Sequence, residues 1–281
     1  MAVPKILVTE PIPEAVLAFL ASFAQVSIGE KGRYMHEDAL ITDLSEVDAL
    51  LCMLSTPVSR NVLQSAPLLK VVANFAVGYN NIDVEAANAL GIKVANTPDV
   101  LTEACGDFAM ALLLATTRRF FDAENYLRSG KFKGWEPLGF LGMELGGKKL
   151  GIIGMGRIGR AFAQRARAFG MHIYYSNRTQ LQTELEQPLN ATFVEDYREL
   201  AAISDVLSLN CPLTMETRHL ANAALFKTMP RHAILINIAR GSVADEAALA
   251  EALHSGEIAG AGLDVFENEP EVHPRLITAP N

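Results

Sequence analysis

Residues 148–179 read KKLGIIGMGRIGRAFAQRARAFGMHIYYSNRT, and this stretch decides how the chain folds. A short apolar run is followed by a glycine turn, and helical periodicity then continues as far as Gly170, where a second apolar run begins. The order is therefore strand, glycine turn, helix, strand. In that order a GxGxxG motif is typical of dinucleotide binding, and the alternative is a chance glycine turn.

Each glycine of the motif is expected to have its own physical role. Gly154 permits the tight turn, Gly156 lets a pyrophosphate approach the backbone, and Gly159 lets the helix pack against the strand. The helix then presents free N–H groups and the positive end of its dipole to the phosphates. The sequence therefore predicts a Rossmann domain that binds a dinucleotide here.

The residues after the second strand, Ser176-Asn177-Arg178-Thr179, indicate which dinucleotide is preferred. An NAD site usually has Asp or Glu about 20 residues after the glycines, bound to the ribose 2′-OH. Here residues 176–183 contain no acidic residue, and the first one after β-strand-like residues 172–175 is Glu184. Arg178 offers a bidentate partner for a 2′-phosphate, and Asn177 and Thr179 can add hydrogen bonds. We expect NADP(H) to be preferred, with NAD(H) possible; the alternative is that Arg178 is a solvated loop arginine.

Composition restricts the class of protein. The chain has 281 residues, half of them hydrophobic, which is enough for two domains with ordinary cores. A net charge of −8 without a basic run argues against nucleic-acid binding, and the apolar runs are too short for a membrane span. Cys52, Cys105 and Cys211 lack metal-ligand spacing, so no metal site is expected. Reduced thiols and a start without a signal-peptide pattern predict a cytoplasmic protein.

Residues 1–98 are predicted to form a small α/β domain, and residues 99–281 a second one. Apolar runs alternate with helical segments in the first domain, which indicates a parallel sheet covered on both faces. The predicted strands are residues 5–9, 25–28, 49–54, 71–75 and 93–95. Right-handed crossovers favour a flavodoxin-like sheet.

Ligands of such sheets bind beyond the carboxyl ends of the strands. Two loops of the first domain lie there, residues 54–57 and 76–81. Gly78 exposes backbone N–H groups that suit a small carboxylate. The alternative is that both loops are ordinary turns.

A long helix is predicted over residues 101–127, followed by the loop-rich residues 134–147. Residues 109–115 are apolar on nearly every side, so we expect this part to be buried between the domains or against another subunit. Nearby apolar side chains would be unfavourable on the surface of a monomer: Phe132, Trp135, Phe140 and Leu141. The sequence therefore predicts a homodimer.

The predicted strand ends of the second domain carry residues that can do chemistry. Arg240 can hold a carboxylate in bidentate fashion and polarise a carbonyl, and the alternative is a surface salt bridge. Glu269 can orient a histidine for acid–base catalysis, and Glu267 is an alternative that the sequence does not separate from it. Asp264 can accept a hydrogen bond from a nicotinamide amide, or cap a local turn.

Four segments together resemble the D-isomer-specific 2-hydroxyacid dehydrogenase family. They are residues 74–119, 151–171, 210–253 and 260–270, and the likeness extends over essentially the whole chain. Asn177-Arg178-Thr179 resembles the glyoxylate/hydroxypyruvate reductase branch, which commonly uses NADPH. The resemblance implies two α/β domains and hydride transfer from NADPH to the carbonyl carbon of a 2-oxo acid, such as glyoxylate, hydroxypyruvate or a bulkier acid.

The resemblance also implies a role for individual residues. Arg240 would bind the substrate carboxylate and stabilise the developing oxyanion, and Glu269 would partner the catalytic histidine. The implied substrate pocket consists of Leu54, Ser55 and the backbone of Val77 and Gly78. The implied cofactor residues are Gly154, Gly156, Arg157, Ile158 and Gly159 at the pyrophosphate, Asn177, Arg178 and Thr179 at the 2′-phosphate, and Cys211, Pro212, Ile238, Ala239 and Asp264 on the nicotinamide side.

One part of the family pattern is not found. The family histidine follows the glutamate in a segment whose first residue corresponds to Asn281, so the proton donor is expected shortly beyond Asn281, with the last Rossmann strand and the return helix. Two histidines within the chain are poor substitutes for this proton donor. His273 lies in a loop flanked by proline, and His219 is only a flanking residue of the 210–253 segment. If the chain ends at Asn281, the alternative is a catalytically inactive nucleotide-binding homologue of the sensor or corepressor type.

Overall fold

The computed structural model describes residues 3–281, and the chain divides into two compact units, Met1–Leu101 and Thr102–Asn281. The first unit has five strands: β1 (Lys5–Val8), β2 (Gln25–Ile28), β3 (Ala49–Cys52), β4 (Val71–Asn74) and β5 (Lys93–Ala95). Its helices are α1 (Glu14–Ala21), α2 (Glu37–Asp43), α3 (Arg60–Gln64) and α4 (Val84–Ala89).

The strands of the first unit are all parallel, in the order β2-β1-β3-β4-β5. This is the flavodoxin-like order that the sequence predicts. Val8, Cys52 and Val72 are fully buried in the central strands, where helices cover both faces of the sheet. The carboxyl ends of these strands lie at one edge, where the loops after β3 and β4 begin.

Side-chain caps fix where several helices begin. Ser59 accepts a hydrogen bond from the Val62 N–H at 3.4 Å, and Asp83 accepts one from the Ala86 N–H at 2.8 Å. Each cap satisfies a backbone donor that the first helical turn leaves unpaired. Helix α4 ends just before Gly91, which has a φ of 72°.

The second unit has six strands: β6 (Lys149–Ile153), β7 (His172–Ser176), β8 (Thr192–Phe193), β9 (Val206–Leu209), β10 (Ile234–Asn237) and β11 (Gly260–Leu263). Its helices are α5 (Thr102–Thr117), α6 (Phe120–Arg128), α7 (Arg157–Ala168), α8 (Thr183–Glu186), α9 (Tyr197–Ile203), α10 (Ala223–Thr228), α11 (Glu246–His254) and α12 (Pro274–Ile277).

The six strands are parallel, in the order β11-β10-β9-β6-β7-β8. The chain builds the sheet outward from β6 in one direction, through β7 and β8, and then returns to β9 and continues in the other direction. This is the doubly wound Rossmann order that the glycine motif predicts, with the reversal between β6 and β9. A crevice for a ligand is expected at that reversal, beyond the carboxyl ends of the two strands.

The long helix predicted over residues 101–127 is wrong in one respect, because the chain forms two helices there. Arg119 adopts the left-handed conformation, with a φ of 51°, and binds Asp122 in the first turn of α6 at 3.0 Å. Helix α5 packs against α7, and a Cβ at Gly106 would lie 3.0 Å from the Ala161 Cβ. Helix α5 therefore packs closely against α7, and α6 begins after the turn of the backbone at Arg119.

Within residues 3–281, no helix combines the length and the apolar character that crossing a bilayer requires. In the same range, no group of three or more His, Cys, Asp or Glu side chains is arranged to hold a metal ion.

We expect Phe162→Ala to destabilise the second unit by about 3–5 kcal/mol, because this fully buried ring of α7 would leave a cavity against the sheet. The measurement is denaturant unfolding followed by circular dichroism. Gln164→Ala, at an exposed position of the same helix, is the matched control and should change the unfolding free energy by no more than about 0.5 kcal/mol. Equal losses in the two variants would contradict the packing described for α7.

Candidate active site

The glycine turn after β6 is shaped by the close approach of the chain after β9. Gly154 has a φ of 99°, and a Cβ there would lie 2.5 Å from the Cys211 backbone nitrogen. Its N–H donates to the Ser176 carbonyl at 3.0 Å, so the turn is also joined to the end of β7. No side chain fits at this position, and three strand ends meet around it.

The other two glycines of the motif differ in what surrounds them. A Cβ at Gly159 would lie 2.5 Å from the Gly154 carbonyl oxygen, so α7 packs directly on the turn. Gly156 is the N-cap of α7, and a Cβ there would meet no protein atom within 4 Å. Packing therefore does not require glycine at position 156. The open space lies at a helix N-terminus, where backbone N–H groups favour phosphate.

The three residues predicted for a 2′-phosphate follow β7 directly. Asn177 is half-buried, and its Oδ1 accepts a hydrogen bond from the Met155 N–H at 2.7 Å. Arg178 and Thr179 are exposed. The pKa of Glu216 is lowered mainly by a hydrogen bond from Thr214, and the charge of Arg178 contributes to the same effect. Arg178 thus lies within electrostatic range of the loop after β9.

The residues predicted for the nicotinamide side occupy the ends of β9 and β10. Cys211 is buried, and burial raises the pKa of its thiol to about 11, so the thiol is neutral at physiological pH. The Pro212 carbonyl accepts a hydrogen bond from the Thr217 hydroxyl at 2.7 Å. Ile238 and Ala239 continue from β10, which pairs with β9. The structure therefore brings these residues to the same edge of the sheet as the glycine turn.

Arg240 follows β10 and is held by a residue that the sequence did not single out. Asn237 is 1% exposed; its Oδ1 accepts from the Ala239 N–H at 3.0 Å, and its Nδ2 donates to the Arg240 carbonyl at 3.1 Å. The Arg240 Nη1 donates to the Ala239 carbonyl at 2.6 Å. Burial lowers the pKa of the Arg240 guanidinium, and the charge of Glu269 opposes this change. An arginine remains a cation under these conditions.

Gly241 lets the loop of Arg240 contact the loop after β11. A Cβ at Gly241 would lie 1.9 Å from the Phe266 carbonyl carbon, so this approach excludes any side chain. The pKa of Asp264 is raised by burial and then by the charge of Glu269. Since Glu269 affects both Arg240 and Asp264, these three ionisable side chains form one electrostatic group, which we call the Arg240 cluster.

The structure separates the two glutamates that the sequence left as alternatives. Glu267 accepts from the His219 Nε2 at 2.6 Å and from Arg218 at 3.1 Å, and its side chain is 16% exposed. Glu269 accepts from the Phe266 N–H at 2.8 Å and acts on Arg240. Glu267 therefore belongs to a structural ion-pair group, and Glu269 is the carboxylate of the Arg240 cluster.

A buried carboxylate positions the loop that carries both glutamates. Glu246, the first residue of α11, is 5% exposed, and its Oε1 accepts from the Glu267 N–H at 2.6 Å. No local sequence pattern indicates this contact, because the two residues are 21 positions apart along the chain. An acidic residue in the first turn of a helix was visible, but its partner was not.

In the first unit, asparagine side chains hold the two loops predicted for a substrate. Asn74 donates to the Gly78 carbonyl at 2.6 Å, and Asn96 donates to the Val77 carbonyl at 2.8 Å. Asn81 donates to the Met53 and Thr56 carbonyls at 3.1 and 2.9 Å. These hydrogen bonds fix the backbone of both loops.

The remaining predicted substrate residues lie in the loop after β3, where Leu54 is half-buried and Ser55 is exposed. This loop contacts the loop after β4 through Asn81. The sequence pointed to the two loops separately, and the asparagine that joins them was missed because its carbonyl partners follow a different strand.

Comparison with known proteins assigns the chain to a family. A family model described as D-isomer specific 2-hydroxyacid dehydrogenase, NAD binding domain, matches residues 110–281. A glyoxylate reductase from Thermococcus onnurineus is 47% identical over 282 residues, which cover 99% of this chain and 84% of that protein. The chain belongs to the D-isomer specific 2-hydroxyacid dehydrogenase family. It is an oxidoreductase, and its second unit is a nicotinamide-nucleotide-binding domain.

Solved structures of the family resemble this chain in both fold and sequence. An NADPH-dependent glyoxylate/hydroxypyruvate reductase from Sinorhizobium meliloti, in complex with NADP and malonate, matches with a TM-score of 0.87 and 39% identity over 99% of this chain and 84% of that one. A glyoxylate reductase from Paecilomyes thermophila gives a TM-score of 0.88 and 36% identity over 100% and 87%. The two parallel-sheet α/β units are thus those of the family.

Two glycine variants should separate packing from cofactor binding. Gly154→Ala should lower the melting temperature by several degrees, because its Cβ would collide with the Cys211 backbone at a φ of 99°. Gly156→Ala should leave the melting temperature of the free protein unchanged and weaken nicotinamide-nucleotide binding about tenfold or more, because the methyl group would occupy the open space that the GxGxxG motif predicts for a pyrophosphate. Thermal unfolding and calorimetric titration measure the two effects. An intact affinity in Gly156→Ala would contradict this position for the pyrophosphate.

Proposed function

We propose that this dehydrogenase reduces a small 2-oxo acid of the glyoxylate or hydroxypyruvate type to the D-2-hydroxy acid, with NADPH as the preferred hydride donor. The observation that carries the proposal is geometric: Gly241 lets the loop of the half-buried Arg240 contact the loop in which Glu269 accepts from the Phe266 N–H, at the carboxyl ends of β10 and β11. The relatives described above are named as glyoxylate reductases, which favours this function over the catalytically inactive alternative.

The residues that would hold the cofactor fit its chemistry. The N-terminus of α7, with Gly156, Arg157 and Ile158, would bind the pyrophosphate, and the open space at Gly156 supports this. Arg178 and Thr179 are exposed for a 2′-phosphate, and Asn177 anchors them to the turn. The residues proposed for the nicotinamide side are Cys211, Pro212, Ile238, Ala239 and Asp264. When bound, the cofactor supplies a hydride to the carbonyl carbon of the substrate.

Arg240 is proposed to bind the substrate carboxylate and to stabilise the negative charge that develops on the carbonyl oxygen. A guanidinium can donate two parallel hydrogen bonds to a carboxylate, and burial strengthens such bonds because water screens them less. The side chain of Asn237 fixes the backbone on which Arg240 is carried. The chain therefore presents the cation preorganised, which is the main source of catalytic power in such sites.

Glu269 is proposed to orient a histidine that protonates the substrate oxygen, as the family resemblance implies. A carboxylate beside an imidazole raises the histidine pKa and fixes its tautomer. His219 is bound to Glu267 and His232 to Asp205, each at 2.6 Å. Each of these histidines is paired with a carboxylate other than Glu269, so neither is proposed as the histidine that Glu269 orients.

In the first unit, Val77 and Gly78, together with Leu54 and Ser55, are proposed as substrate-binding residues, with the N–H groups of Val77 and Gly78 as donors to a carboxylate. The asparagine contacts at the Val77 and Gly78 carbonyls support this, because they fix the loop without using its N–H donors. Backbone N–H groups held in this way bind anions without side-chain entropy loss.

A homodimer is proposed from the apolar surface of α6 and the loop that follows. Large apolar side chains are exposed there, including Trp135 at 85% and Leu138 at 81%. Others on the same segment are Phe120, Phe121, Leu127, Phe132 and Leu141. Several large apolar side chains exposed on one segment are typical of a subunit interface.

A cytoplasmic location is proposed from the cysteines. Cys52, Cys105 and Cys211 are unpaired, and two of them are buried. Burial raises the pKa of the Cys52 thiol to about 12. Reduced thiols of this kind are typical of a reducing compartment.

We expect Arg178→Ala to raise the Michaelis constant for NADPH about tenfold or more, while changing that for NADH much less, because the variant removes a charge-assisted pair with the 2′-phosphate. Steady-state kinetics with each cofactor measure the effect. Arg198→Ala, an exposed arginine of α9, is the control. Equal changes in the Michaelis constants for NADPH and NADH would contradict the proposed preference for NADPH.

The reaction itself is tested by consumption of NADPH with glyoxylate and with hydroxypyruvate. Arg240→Gln should lower kcat/KM about 10²- to 10³-fold, because the variant removes a charged donor to the developing oxyanion. Arg231→Gln, exposed at the opposite end of β10, should retain the wild-type rate. No turnover with either acid, or an unaffected Arg240→Gln variant, would refute the proposal.

A further inference from the structure

Tyr175 joins the end of β7 to the chain that follows it. The side chain is fully buried, its hydroxyl donates to the Glu186 Oε1 at 2.6 Å, and it accepts from the Leu181 N–H at 3.0 Å. The ring packs beside Phe193, with 5.4 Å between the ring centroids. One buried hydroxyl therefore binds two residues on the far side of the loop that begins at Asn177.

Gln180 adds a second connection to the same carboxylate. Its Nε2 lies 3.2 Å from both oxygens of Glu186. At the other end of the loop, Asn177 is bound to the Met155 N–H at 2.7 Å. Arg178 and Thr179 thus lie in a loop that is held by hydrogen bonds at both ends. Asn177 holds one end, and the hydrogen bonds of Tyr175 and Glu186 hold the other.

We propose that Tyr175 and Glu186 act as positioning residues, a clamp that holds residues 177–181 in the conformation that recognises a 2′-phosphorylated nucleotide. This inference rests on the proposed role of Arg178 toward NADPH. A loop that is held by hydrogen bonds in the free protein loses less conformational entropy when a ligand binds than a mobile loop does. Arg178 on such a loop therefore binds the 2′-phosphate more tightly. The clamp would act on the 2′-phosphate and not on the rest of the nucleotide.

The chemistry of the clamp suits a permanent connection. Burial and the neighbouring Glu186 carboxylate raise the pKa of Tyr175 to about 12, so the hydroxyl stays a donor at physiological pH. Removing it would leave the Glu186 carboxylate and the Leu181 N–H without this partner, whereas the ring of a phenylalanine would keep the packing against Phe193. Tyr175→Phe therefore tests the hydrogen bonds alone.

The test is calorimetric titration of the whole protein with adenosine 2′,5′-bisphosphate and, separately, with AMP, which differs from it only in lacking the 2′-phosphate. Tyr175→Phe should weaken the affinity for the bisphosphate about three- to tenfold, the equivalent of one or two lost hydrogen bonds, with little change for AMP. In kinetics, KM for NADPH should rise while kcat and KM for NADH stay near wild type. A role in general stability would not produce that division.

Tyr174→Phe is the matched control, because Tyr174 is the adjacent residue of β7 and its side chain points to the opposite face of the strand. It should leave both affinities unchanged. Glu186→Ala should reproduce the effect of Tyr175→Phe, and the double variant should be less than additive. If Tyr175→Phe does not fold, Glu186→Ala, at a half-buried position, carries the test.

The outcomes separate this inference from the function on which it rests. A wild-type protein that binds the bisphosphate no more tightly than AMP would overturn the NADPH preference, and the clamp with it. A wild-type preference that survives intact in both Tyr175→Phe and Glu186→Ala would overturn the clamp alone. Equal losses for both ligands would also overturn it, because they would indicate general damage to the unit.

Discussion

The second unit depends on the missing side chain of Gly154. A Cβ there would lie 2.5 Å from the Cys211 backbone nitrogen, and the Gly154 N–H is bonded to the Ser176 carbonyl. This approach brings the ends of β6, β7 and β9 together at the point where the strand order reverses. Gly159 then allows α7 to pack on the turn, so the helix N-terminus lies beside all three strand ends.

Side-chain amides fix the loops that regular structure does not reach. Asn74 and Asn81 connect the loops of the first unit, and Asn237 brackets Arg240 in the second. An amide carries donors and an acceptor on one rigid plane, so a single side chain can bind carbonyl and N–H groups of neighbouring residues. Hydrogen bonds of this kind fix loop backbone that lies outside helix and strand.

Charge at the carboxyl ends of β10 and β11 is organised by burial. Burial lowers the pKa of Arg240 and raises that of Asp264, which are the two expected effects of a poorly solvated environment. Ionic hydrogen bonds are stronger there than in water. Glu267 is paired with His219 and Arg218 and does not belong to the Arg240 cluster. Glu269 is the carboxylate whose charge opposes the effect of burial on the pKa of Arg240.

The sequence by itself determined both sheet types and the family, because apolar runs, glycine spacing and motif residues are local patterns. It did not determine the break at Arg119, the contact between Glu246 and the Glu267 N–H, or the pairing of Glu267 with His219. These features depend on partners distant in the chain; Glu267 and His219, for example, are 48 residues apart. Local pattern specifies which elements form, and only packing specifies which side chains meet.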